Sequence, residues 1–416
     1  MSRSRLRLLP PLVAGVLACS GHSTAPEPPA PTALSTVALS ATERLGRSLF
    51  FDANLSEPTG QACASCHGPE AGWSGPSSSL NAHGAVYEGA TLGRFGNRKP
   101  PSSAYAALTP RLHLMDRQGT FEGGAFGDGR ATGEKLGQAA ADQAQGPLLN
   151  PVEQNNMDAA TVVARVCAAA YAPAFRALYG QDICESAQVE RAYAGIARAI
   201  TAYEGSREVS AFSSKYDAYL AGRVKLTEQE AQGLQLFEGR GKCARCHPSQ
   251  PGPNGEPPLF TDASYDNLGV PRNPENPWYS QRELNPQGEA WVDHGLGAFL
   301  ATRAEYRPYA RTNLGMHKVP TLRNVDKRPS PGFVKAYGHN GYFKDLASFV
   351  HFYNTRDVLP VCLPGGAGAP GADCWPPPEV GLNVNTEELG HLGLTEGEEA
   401  ALVAFLQTLS DGFTPP

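Results

Sequence analysis

Cys63-Ala64-Ser65-Cys66-His67 decides how the chain is read, and Cys243-Ala244-Arg245-Cys246-His247 repeats the pattern in its second half. Two cysteines separated by two residues and followed at once by a histidine form the attachment pattern of a c-type haem. The thiols add across the two porphyrin vinyl groups, and the adjoining imidazole is held against the iron as its proximal ligand. A disulfide or zinc knuckle that merely precedes a histidine would account for one such stretch; two in one chain argue for two covalently bound haems. The expected attachment points are therefore Cys63, Cys66, Cys243 and Cys246, with His67 and His247 as iron ligands.

The same local unit stands ahead of each motif. Ser40-Ala41-Thr42-Glu43 is a capping box, and Leu45, Leu49 and Phe50 follow it at helical spacing. Thr227-Glu228-Gln229-Glu230 is a second box, with Gly233, Leu236 and Phe237 in register with Gly46, Leu49 and Phe50. This is an internal repeat of one ancestral unit. Each unit also has a later apolar stripe able to close over its haem. One is Val189, Tyr193, Ile196, Ile200 and Tyr203; the other is Leu402, Phe405, Leu406 and Leu409, after the capping box Thr395 to Glu398. Strand signals are sparse. The expected fold class is mostly α: two cytochrome c-like helical domains, over 37–220 and 221–412, each carrying one haem. Gly and Pro, 45 and 36 of 416 residues, require long loops between the helices.

Arg3, Arg5 and Arg7 precede an apolar run from Leu8 to Ala18 that is too short to span a membrane, so residues 1–18 read as a signal peptide. Val16-Leu17-Ala18-Cys19 looks like a lipobox, with Cys19 the lipid-bearing first mature residue; ordinary signal-peptidase cleavage nearby is the alternative. Either way the expected location is the periplasm or cell envelope, with a membrane contacted only through the lipid. Residues 19–36, rich in Pro, Ala, Ser and Thr, form a flexible tether. The formal net charge of −6 gives no footprint for nucleic acid. Of nine cysteines, one is allotted to lipid and four to haem. In an oxidising compartment the sequence-adjacent pairings Cys167–Cys184 and Cys362–Cys374 are the economical ones for the rest, the second stapling a Pro/Gly-rich loop.

Further motifs follow in order: Phe126-Gly127-Asp128-Gly129-Arg130, Gln143-Ala144-Gln145-Gly146-Pro147, Val319-Pro320-Thr321-Leu322-Arg323-Asn324 and His339-Asn340-Gly341-Tyr342-Phe343. With the two haem motifs, these make the chain resemble, from about Ser40 to Leu409, the bacterial di-haem cytochrome c peroxidases and their MauG-type relatives. The resemblance implies that hydrogen peroxide reacts at the N-terminal haem. It implies Glu153 as the distal acid/base, Gln143 as a hydrogen-bonding pocket residue and Pro147 as a pocket wall. The position fourteen residues beyond His339, where the family places Met or Tyr as sixth ligand of the second haem, is Tyr353. Tyr353 also continues the stripe Leu346, Phe349 and Val350, so a packed aromatic is the alternative, and Met316 and His317 are further candidate ligands. His83 lies where classical members place a removable distal histidine, His113 being a poorer candidate.

Two positions depart from the family pattern. Gly127 stands where a tryptophan between the haems is usual, with Phe126 beside it. Lys99 stands where an Asn ligates an inter-domain calcium, and an ammonium cannot ligate a cation, which argues against that calcium. The expected activity is reduction of peroxide with electrons from a small cytochrome c or cupredoxin. The alternatives are MauG-like, peroxide-driven oxidation of Trp or Tyr residues in a partner protein, and a non-enzymatic di-haem electron carrier, for which a distal acid would have no use.

Overall fold

Ser40 and Thr227 start their helices by the same device: each hydroxyl accepts the N–H of the third helical residue, and Glu43 or Glu230 reaches back to the cap's own N–H. The computed structural model describes residues 38–415 apart from Pro364 and Ala367. The signal peptide 1–18, Cys19 and the tether 19–36 lie outside the described residues.

The first half contains α1 (Ala41–Phe50), α2 (Ser78–Ala82), α3 (Ala139–Leu149), α4 (Ala159–Ala168), α5 (Ala172–Tyr179) and α6 (Val189–Glu204). The second contains α7 (Lys215–Leu220), α8 (Glu228–Glu238), α9 (Gly295–Ala301), α10 (Leu346–Thr355) and α11 (Glu396–Gln407). The fold is mostly helical. Among the described residues the strands are two antiparallel two-residue ribbons: β1 (His113–Leu114) with β2 (Phe121–Glu122), and β3 (Tyr265–Asp266) with β4 (His317–Lys318).

Helix α1 packs across α6, and α8 packs across α11, so the sequence repeat is also a packing repeat. Leu45, Leu49, Phe50, Ile196, Ile200 and Tyr203 are buried in one core. Leu236, Phe237, Phe352, Leu402, Phe405 and Leu409 are buried in another. Burying each such side chain contributes roughly 1.5–3 kcal/mol. From Leu39 onward the two cores belong to one compact unit.

Polar groups bind the halves to each other. Arg98 donates to both oxygens of Asp293, at 2.6 and 2.7 Å, and to Asp128 at 2.8 Å. The buried ammonium of Lys335 donates to the carbonyls of Ala71, Asn324 and Lys327 at 2.8–3.0 Å. Arg323, almost wholly buried, donates to Asp217 and to the Pro258 carbonyl and lies among the rings of Tyr105, Phe212 and Phe260. The Pro-Thr-Leu-Arg-Asn motif is therefore a clamp that sets the loop 317–324 in place. Disulfides join Cys167 to Cys184, behind α4, and Cys362 to Cys374, in the loop after α10.

Candidate active site

Both Cys-x-x-Cys-His motifs open on short 3-10 turns, Cys63–Ser65 and Cys243–Arg245. In each, the histidine N–H donates back to the first cysteine carbonyl, at 3.1 and 2.9 Å. The turns bring the four thiols and both imidazoles to the wall of one continuous cavity of about 760 Å³. The thiols are free, and burial pushes each up to about 12.

The second ring nitrogen of each histidine is already committed. Nδ1 of His67 lies 2.9 Å from the Pro101 carbonyl, and Nδ1 of His247 lies 2.7 Å from the Phe260 carbonyl. A carbonyl only accepts, so Nδ1 carries the proton and Nε2 keeps its lone pair for a metal. Burial lowers both imidazoles, which favours that neutral form. Paired thiols beside a neutral, oriented imidazole, lining a cavity of this size, are the donor set a covalently attached haem needs at each end.

At the N-terminal end, α3 presents Gln143 and Pro147, one turn apart, to the cavity. The chain then turns back on itself, with Glu153 N–H donating to the Asn150 carbonyl and Gln154 N–H to that of Pro147. The turn aims Glu153 at the cavity. Its Oε2 accepts from Asn150 Nδ2 at 3.2 Å. Burial raises the Glu153 carboxyl above its ordinary value, opposed by the charge of Arg130 and the Asn150 hydrogen bond. Arg130 is fixed by Asp128 at 2.7–2.9 Å and lies over the Phe126 ring, 3.6 Å from its centroid.

At the C-terminal end, Tyr353 lines the cavity from the last turn of α10, its ring edge-to-face with Phe349. Burial first, then the Cys243 thiol, pushes its phenol well above the usual range. Lys99 also lines the cavity, and burial pushes its ammonium down to about 8.

Three candidate ligands stand elsewhere. His83 caps the end of α2 with its side chain 74% exposed, near Glu275, because the short helix ends at the surface; it is not brought to the cavity. Met316 packs into a separate apolar cluster with Leu296 and Leu300. His113 is exposed on β1. His317 does line the cavity, but its ring is stacked on His339. Sequence reasoning missed Arg98 and Asp293, which lie 195 residues apart in the chain, so no local spacing signals the pair.

A mostly helical fold around one cavity with two such donor sets fits a protein that holds two haems. A family model described as di-haem cytochrome c peroxidase matches residues 40–225. The chain is 38% identical over 371 residues to the methylamine utilization protein MauG of Paracoccus denitrificans (strain Pd 1222), covering 88% of each chain. It is 27% identical to the cytochrome-c peroxidase IdrP2 of Denitromonas iodatirespirans, over 88% of this chain and 80% of that one. Among solved structures, the diheme peroxidase BthA from Burkholderia thailandensis E264 matches with a TM-score of 0.71 and 34% identity, over 89% of this chain and 86% of that one. The chain belongs to the di-haem cytochrome c peroxidase family and is an oxidoreductase of the cytochrome-c peroxidase type.

Proposed function

We propose that this protein reduces hydrogen peroxide to water at its N-terminal end, with two electrons and two protons per peroxide, the electrons coming from a small cytochrome c or cupredoxin. Cys63 and Cys66 would hold one haem and Cys243 and Cys246 the other, with His67 and His247 as iron ligands; the haem supplies the redox couple for the reaction. Glu153 handles the proton. Its Oε1, the oxygen not engaged by Asn150, takes a proton from one peroxide oxygen and returns it to the other, the leaving one. Gln143 orients the peroxide, Pro147 limits the space around it, and the charge of Arg130 opposes the burial that favours the protonated form of Glu153. The observation that carries this reading is a burial-raised carboxyl facing the same cavity as an imidazole with a free Nε2. Rapid mixing with stoichiometric peroxide of the parent and of Glu153→Gln, each both all-ferric and after one-electron reduction, tests it.

Tyr353 favours a second reading. A phenol at the second iron would stabilise its oxidised states and make that haem a poorer entry port for electrons. Peroxide oxidising equivalents would then be spent on Trp or Tyr side chains of a partner protein, in the manner of the MauG branch. A fast reaction of the all-ferric protein supports this second reading, and a requirement for prior one-electron reduction supports the first. The two disulfides and the N-terminal sequence support an exported protein in the periplasm or cell envelope, lipid-bearing at Cys19.

A further inference from the structure

The imidazoles of His317 and His339 stack with centroids 3.7 Å apart and planes 11° from parallel. His317 Nδ1 lies 3.1 Å from the Gly315 carbonyl. Its Nε2 faces Asp293 Oδ2 at 3.4 Å, and His339 Nε2 faces Glu379 Oε2 at 3.6 Å. Both Nε2 atoms are buried without a hydrogen-bond partner. The carboxylates beside them are already engaged: Asp293 holds Arg98 through both oxygens, and Glu379 Oε1 accepts the Asp293 N–H at 3.2 Å.

Two histidines and an aspartate could suggest a metal ion. The geometry opposes it. A ring nitrogen's lone pair lies in the ring plane, so parallel stacked rings cannot aim both Nε2 atoms at one cation. The guanidinium on Asp293 would also repel it.

The stack instead completes a line of contacts between the two haem-binding histidines. On one side, the His339 carbonyl accepts the Lys99 N–H at 3.2 Å. Two residues along, the Pro101 carbonyl holds His67 Nδ1 at 2.9 Å. On the other side, two residues beyond His317, the Val319 carbonyl accepts from Thr261 Oγ1 at 2.6 Å. The adjacent Phe260 carbonyl holds His247 Nδ1 at 2.7 Å. Both rings line the cavity that takes in both attachment sites. Gly127 lies beside the stack: a Cβ there would sit at ordinary van der Waals distance, 3.7 Å, from His317 Cδ2.

We infer that the His317–His339 stack is the electronic contact between the two haem sites. In the exchange one electron leaves one iron and arrives at the other. The rings bridge the gap without being oxidised, since imidazole is hard to oxidise, and they neither take up nor release a proton. The inference rests on haem being bound at both motifs but not on peroxide turnover.

Pulsed one-electron reduction of the all-ferric holoprotein, followed at the absorption bands of the two haems, reads the exchange directly. His317→Ala is expected to slow redistribution about tenfold or more, while each haem's spectrum and midpoint potential stay those of the parent. His317→Phe, which keeps a ring in the stack, should stay within about threefold of the parent. His317→Leu, which fills the volume without a ring, takes the place of the alanine variant if that one does not take up haem. An unchanged rate in the ring-less variant overturns the inference, and so does a phenylalanine variant as slow as it. No peroxide is present, so this outcome is independent of the Glu153 test.

Discussion

Gly46 of α1 rests on the backbone of Ala199 of α6: a Cβ on it would fall 1.9 Å from the Ala199 carbonyl oxygen. Gly233 of α8 stands in the same relation to Ala401 of α11, at 2.0 Å. Each crossing carries the face whose next residues pack the core, Leu49 and Phe50 in one half and Leu236 and Phe237 in the other. Adding one methyl must push the helices apart, because the obstructing atoms are backbone. Gly46→Ala is expected to cost about 3 kcal/mol, at the upper end for overpacking. Chemical denaturation of the holoprotein measures it. An alanine variant as stable as the parent would show that the crossing relaxes freely.

Glu153→Gln keeps the side chain's shape and its contact with Asn150 but removes the base. The rate of peroxide reaction should fall about a hundredfold or more, within the usual range for loss of an acid/base group, with haem content and spectra unchanged. On the proposed mechanism the ionised carboxylate is the form that accepts the first proton, and burial holds its pKa above the ordinary value. The rate should therefore decline on acidification at a pH above the usual carboxylate range. Glu153→Gln should lack that decline. A variant that reacts at the parent's rate would remove Glu153 from the mechanism.

Much of this site was legible in the sequence because its signals are local. A haem motif is five consecutive residues, a capping box is four, and Gln143 and Pro147 share one helical turn. What was not legible depends on residues far apart in the chain. Arg98 is a single basic residue in a loop until the fold sets Asp293 against it. His339 could be read as pocket architecture, but nothing in the sequence shows that His317 stacks on it. The exposure of His83 was not legible for a related reason. Its position in the order of motifs was right for a ligand, yet order does not say which way a short surface helix turns its last side chain.

As a ligand of the second iron, Tyr353 would separate the two functional readings. A thioether raises a haem's potential, whereas a phenolate favours the oxidised states. Tyr353→Met is expected to raise the midpoint potential of the C-terminal haem by about 100 mV or more. Tyr353→Phe should change the ferric spectrum of that haem alone. Spectroelectrochemical titration of the two variants provides both readouts. If Tyr353→Phe leaves the spectrum and the potential untouched, Tyr353 is a packed aromatic like Phe349.

Glu204, at the end of α6, is 5% exposed, and its Oε2 has no hydrogen-bond partner. Burial pushes its carboxyl up to about 8 from 4.5, opposed by the Ser103 hydroxyl. In the folded state the group keeps its proton between those two values, while the unfolded chain releases it. Folded protein then binds more protons than unfolded, so stability falls as pH rises through that window, and the full penalty applies above it. Glu204→Gln removes the ionisation and keeps a polar group of the same size. The variant should match the parent near pH 5 and be more stable by roughly 2–4 kcal/mol near pH 8.5, by the linkage of pKa to stability. Denaturation curves at the two pH values decide it: parallel shifts of parent and variant would mean that Glu204 is not the group whose ionisation the fold resists.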